Sequence, residues 1–209
     1  ASSICKVDLK SDLVGEFPEL QGIMGGYFAE AQGFEKEVCQ SVSEHYLPNG
    51  LESRVPKNPY SVALSLSDKI DTLVGFFGLN LVPTGSKDPY ALRRCAIALV
   101  RLIIENKIKI KLRSIINFSL TLYKEQGYEF DITKVLKEIN NFILDRLKNF
   151  SKEKDIRLDI IESSIISNDI DELYYGYKKA EVLNKNIKNE LGQDVVGIYK
   201  RSSNILNSE

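Results

Sequence analysis

Few residues in this chain combine the types and spacing that chemistry requires. There is one histidine, His45 in Glu44-His45-Tyr46, and a pair of carboxylates, Asp68 and Asp71, in Leu66-Ser67-Asp68-Lys69-Ile70-Asp71. One imidazole with one or two carboxylates is a poor home for a transition metal. Magnesium could still bind weakly through Asp68 and Asp71 with water. The plainer expectation is that His45 caps a helix end and hydrogen-bonds an acidic partner such as Asp68. Thr84-Gly85-Ser86-Lys87 has the residue types of a phosphate loop, but it lacks the GxxxxGK[ST] spacing and a preceding strand. It reads as a turn at a helix start, whose free backbone N–H groups beside Lys87 would suit an RNA phosphate. The cysteines, Cys5, Cys39 and Cys95, are widely spaced without a CxxC pair. That spacing fits reduced thiols and argues against a disulfide framework or a zinc knuckle. Cys39 and Cys95 read as core packing, and Met24, Tyr27 and Phe28 as a core stripe.

Charge is balanced overall and uneven locally. The 209 residues carry a net charge of −1, so any nucleic-acid or membrane contact must come from a local patch. Residues 1–50 hold eight acidic against three basic side chains. Residues 87–113 hold eight basic ones (Lys87, Arg93, Arg94, Arg101, Lys107, Lys109, Lys111, Arg113) against Asp88 and Glu105. A basic helix beside acidic ones can be a nucleic-acid footprint. On pattern alone, pairing with the acidic amino-terminal helices or solvation is the more economical reading.

The elements that must position these groups are helical, and the expected fold class is all-α. Apolar residues recur at three and four from Leu9 to Phe17 and from Leu20 to Tyr27, with Pro18 between the runs. A third run, Phe34 to Leu47, ends at Pro48-Asn49-Gly50, and the polar stretch to Pro59 reads as a loop. Residues 60–78 form an apolar helix expected to be buried on most sides. Asp88-Pro89 supplies an N-cap and a proline at the first position of a helix from about Pro89 to Asn106. Lys107 to Arg113 alternates basic and apolar as a strand does, but the flanking helices favour a helix-to-helix junction. Further helices are expected over 112–126, 132–150, 156–166, 170–183 and 195–206, with Gly127, Asp131, Ser167-Asn168-Asp169 and Gly192 as breaks and caps. No run approaches about 18 uninterrupted apolar residues, so no membrane span is expected. The start has no signal-peptide core and an amphipathic pattern runs by Ile4, so the chain reads as an internal piece of something longer.

Three phrases are more particular than helical patterning. They are Asp12-Leu-Val-Gly-Glu-Phe-Pro-Glu-Leu-Gln-Gly-Ile-Met-Gly25; Glu44-His-Tyr-Leu-Pro48 followed by Leu66-Ser-Asp-Lys-Ile-Asp-Thr-Leu-Val-Gly-Phe-Phe77; and Pro83-Thr-Gly-Ser-Lys-Asp-Pro-Tyr-Ala-Leu-Arg-Arg94. In this order they resemble the central region of the β subunit of bacterial two-subunit glycyl-tRNA synthetases. The resemblance is dense over residues 8–105, thins beyond, and returns near Tyr199-Lys-Arg-Ser-Ser-Asn-Ile-Leu206.

That resemblance implies a cytoplasmic protein in which the α subunit makes glycyl-adenylate, using ATP and Mg, while the β subunit serves tRNA binding and assembly. It implies an HD-domain-like helical core over 1–110, then a helical bundle segment over 111–209 leading towards an anticodon-binding domain. Hydrolases of the HD class hold a metal with a histidine, a His-Asp dyad and a later aspartate. Asp68 matches that last aspartate, but His45 is followed by tyrosine, so no independent catalysis and no cofactor are expected here. The implied partners are glycine tRNA, the α subunit and the rest of the β subunit, with Lys87, Arg93, Arg94 and Arg101 as RNA-contact candidates. A pure assembly module and a residual metal-dependent phosphohydrolase are the alternatives.

Overall fold

The computed structural model describes residues 1–165 and 169–206, and these residues are helical with no β-strand among them. The amino-terminal run breaks into short pieces because Ser11 and Pro18 interrupt it. A 3-10 turn, Val7–Lys10, leads to α1, Asp12–Glu16, where the Ser11 hydroxyl accepts from the Val14 amide at 3.3 Å. A second 3-10 turn, Pro18–Leu20, leads to α2, Ile23–Ala31, and then α3, Lys36–Glu44. The α2–α3 pair packs closely at Gly25 and Gly26, where a Cβ on Gly26 would sit 3.0 Å from the Cys39 carbonyl oxygen. Met24 and Phe28 are half-buried on this pair, whereas Tyr27 is 61% exposed and does not belong to the expected core stripe.

The centre is built from longer helices. α4, Pro59–Gly78, starts where the Asn58 side chain accepts from the Tyr60 amide, and it buries residues from Ser61 to Phe77. α5, Leu92–Glu105, is covered on nearly every side: Leu92, Leu99, Leu102 and Ile103 are fully buried. α6, Leu112–Glu125, packs on α4, and α7, Ile132–Glu153, lies against both α4 and α5. The short α8, Leu158–Ser164, joins α7 to α9, Leu173–Asn186, which returns to α5. One apolar core runs through these helices from Ile70 to Ala180. α10, Glu190–Leu206, contributes no buried residue to it. The break expected at Ser167 and Asn168 lies outside the described residues, while Asp169 accepts from the Asp171 amide at 3.0 Å.

Two local expectations are refined. The helix expected from Pro89 begins at Leu92, because Ala91 adopts a left-handed conformation with φ of 55°. Asp88 still caps it from farther back, with its two carboxylate oxygens each 2.9 Å from the amides of Leu92 and Arg93. The alternating segment after α5 is a junction, as its flanks implied. Ile108 and Ile110 pack against the core while Lys107, Lys109 and Lys111 are exposed.

Candidate nucleic-acid interface

α3 delivers His45 at its carboxy-terminal cap, and α4 delivers Asp68, Lys69 and, three residues on from Asp68, Asp71. His45 is fully buried, and its Nδ1 lies 2.6 Å from the Val42 carbonyl oxygen. A carbonyl only accepts, so Nδ1 carries the proton and the buried, unpartnered Nε2 is a bare acceptor. Burial pushes the imidazole pKa down, against the Val42 bond and the nearby Asp68 charge. The expected His45–Asp68 hydrogen bond is therefore replaced. Asp68 pairs with Lys6 at 2.6 Å and has Lys69 at 3.6 Å, and the Lys69 ammonium donates to the His45 carbonyl at 3.1 Å. Lys69 is itself buried, which pushes its pKa down.

These residues do not fit a metal. Two ammonium groups, of Lys6 and Lys69, flank Asp68, and among the described residues no group of three His, Cys, Asp or Glu side chains could hold an ion. Asp71 is exposed on the next turn, where its backbone carbonyl accepts from the Tyr123 hydroxyl at 3.3 Å. Burial pushes the neighbouring Cys95 thiol up to about 12, so it stays protonated and packs against the core.

Above this cluster opens a cleft of about 450 Å³, lined among others by Tyr46, Asn49, Lys69, Tyr90 and Arg94. The structure separates the four RNA-contact candidates. Lys87 and Arg94 are exposed and make no ion pair among the described residues. Arg93 folds back, donating to the Gly85 carbonyl at 2.5 Å. Arg101 is buried: its Nε pairs with Glu105 at 2.7 Å and its guanidinium donates to the Gly50 carbonyl at 2.5 Å. It holds the loop after α3 onto α5. The Thr84–Lys87 turn also differs from the expected phosphate cradle. Its Thr84 and Lys87 amides bond each other's carbonyls, and the first amides of α5 are taken by Asp88. Lys69 and Lys6 were missed in the sequence. Lys69 had a signal, since it continues the Val62, Ser65 and Leu73 spacing of the buried face of α4.

The fold and cleft define an all-helical protein in which a cleft between α4 and α5 is lined by the exposed Arg94 and by Asp68 and Lys69 of a lysine–aspartate–lysine cluster. The chain belongs to the glycyl-tRNA synthetase β-subunit family, whose profile matches residues 1–166. It is 41% identical over 206 residues to the glycine–tRNA ligase β subunit of Cereibacter sphaeroides (strain ATCC 17029), covering 99% of this chain and 30% of that protein. The Rickettsia canadensis β subunit is likewise 41% identical, over 210 residues covering all of this chain and 30% of its own length. That of Ruegeria sp. is 40% identical, with 99% and 28% covered. The chain thus spans less than a third of the length of these relatives.

Proposed function

We propose that this chain is a tRNA-positioning and scaffolding segment of a glycine–tRNA ligase, with the ATP- and magnesium-dependent step placed in the α subunit. The observation that carries the reading is Arg94, exposed in the lining of the α4–α5 cleft, together with Lys87, exposed in the turn before α5; neither forms an ion pair among the described residues. Cations of this kind orient an RNA through its phosphates without reading its sequence. The HD-like centre serves as structure in this reading, because Asp68 is committed to Lys6 and Lys69. Scaffolding is supported by apolar side chains left exposed near the amino terminus, among them Leu9, Leu13, Phe17 and Ile23. They suit packing against the α subunit or the rest of the β subunit.

The test is Lys87→Ala with Arg94→Ala in the assembled ligase. The KM for glycine tRNA should rise about tenfold or more, as expected for loss of two phosphate contacts. The KM for glycine and for ATP, and the mass of the complex with the α subunit by light scattering, should stay unchanged. An unchanged KM for tRNA removes these residues from the role, and a loss of complex mass moves them to assembly.

A further inference from the structure

We propose that the junction between α5 and α6, together with the start of α9, forms a second RNA-contact face that takes an unpaired stretch of RNA. Phosphates run along Lys107, Lys109 and Lys111, and a base rests against the ring of Tyr175. Alternation builds the row, because Ile108 and Ile110 pack against the core and leave the three lysines exposed. Lys107 sits in a left-handed turn with φ of 57° at the end of α5, and beyond it residues two apart in an extended stretch would be separated by about 7 Å, comparable with successive phosphates on one RNA strand. Among the described residues none of the three lysines pairs with a carboxylate. The acidic groups nearby are occupied: Glu105 by Arg101 at 2.7 Å, Asp169 by Arg113 at 3.1 Å, and Asp171 by the Arg113 amide at 2.7 Å. Lys57 adds a fourth cation at this end of α5, with its ammonium 3.1 Å from the Glu105 carbonyl oxygen.

The aromatic element favours RNA over an acidic protein as the partner. The Lys109 ammonium lies 5.6 Å from the centroid of the Tyr175 ring, which is 56% exposed. Beside it is a cavity of about 290 Å³ lined by Ile110, Leu173, Tyr174 and Tyr175, with Asp171 at its edge. Ammonium groups beside an open ring and an apolar recess match the two parts of an unpaired nucleotide, phosphate and base face. A duplex cannot offer the base face. This face is separate from the α4–α5 cleft, since the 14 residues of α5 put roughly 20 Å between its ends.

The test is fluorescence anisotropy of the purified protein with an unstructured oligouridylate of about eight nucleotides, an abasic oligomer, a blunt RNA duplex and polyglutamate, each in a salt series. Replacing Lys107, Lys109 and Lys111 by alanine should weaken oligouridylate binding at least about tenfold and lower the salt slope by about 2. Tyr175→Leu should weaken it about fivefold or more, Tyr175→Phe should restore it, and neither should change binding of the abasic oligomer. Lys87→Ala with Arg94→Ala should weaken oligouridylate binding less than the triple lysine variant does and should leave its dependence on Tyr175 unchanged. The inference is overturned if the parent protein does not bind the oligomer at low salt, or if the triple variant binds as the parent does. Duplex or polyglutamate bound as tightly as the oligomer, without dependence on Tyr175, overturns it as well. If only the Lys87–Arg94 pair matters, this face is eliminated while the reading of that pair stands.

Discussion

His45 shows how a side chain with catalytic potential can be committed to structure. Its Nδ1–H is spent on the Val42 carbonyl, and no proton donor or carboxylate among the described residues meets its Nε2. Because burial lowers its pKa below the ordinary value near 6.5, the unfolded chain binds a proton in a range where the folded chain does not. Stability from this group is therefore fully present above about pH 6.5 and is lost as pH falls from there towards the folded pKa, by at most about 1.4 kcal/mol per pH unit. His45→Asn retains a donor for the Val42 carbonyl and removes the titration. Urea unfolding at about pH 7.5 and about pH 5.5 should show a smaller acid destabilisation in the variant than in the parent. An equal loss in both would assign the acid sensitivity to other groups. The cap at the end of α3 was readable, since Val42 lies three positions back, but the burial was not, because its neighbours come from α4: Lys69 is 24 positions away.

At the scale of elements, legibility followed locality. Helices with a clear apolar stripe were anticipated within a few residues, and the expected cap Asp131 acts on the Lys134 amide, three residues on. The start of α5 was misplaced because Asp88 reaches across a three-residue turn to cap it. The burial of Arg101, named as an RNA-contact candidate, was not legible because it depends on the Gly50 carbonyl, 51 positions back. Helical pattern also does not report whether a stripe is covered. α5 and α10 are both amphipathic, yet Leu99 of α5 is fully buried while Leu191, Val195 and Ile198 of α10 are more than half exposed. Leu99→Ala should thus cost about 2–5 kcal/mol through lost burial and a residual cavity. Val195→Asp with Ile198→Asp should change stability by no more than about 0.5 kcal/mol. Urea unfolding of the two variants checks the contrast, and a large loss in the second would show that α10 is held to the core after all.

At the scale of the whole molecule, a net charge of −1 conceals two cationic faces at opposite ends of one buried helix. Neither face could be located from composition, because eight basic residues in one run divide three ways once folded. Arg101 is internal, Arg93 is tied to the Gly85 carbonyl and Arg113 to Asp169, and Lys87, Arg94, Lys107, Lys109 and Lys111 are exposed without an ion pair among the described residues. The division has a thermodynamic consequence if one tRNA spans both ends of α5. The faces share no side chain and are separated by roughly 20 Å, so their contributions to binding should be independent. Removing Lys87 and Arg94, removing the three junction lysines, and removing all five should give losses in tRNA binding free energy that add within about 0.5 kcal/mol. The salt slopes should fall in proportion to the cations removed. A combined loss well below additivity, measured by titration of glycine tRNA at fixed salt, would mean that the RNA uses one face at a time. The two patches would then be alternative docking points along α5.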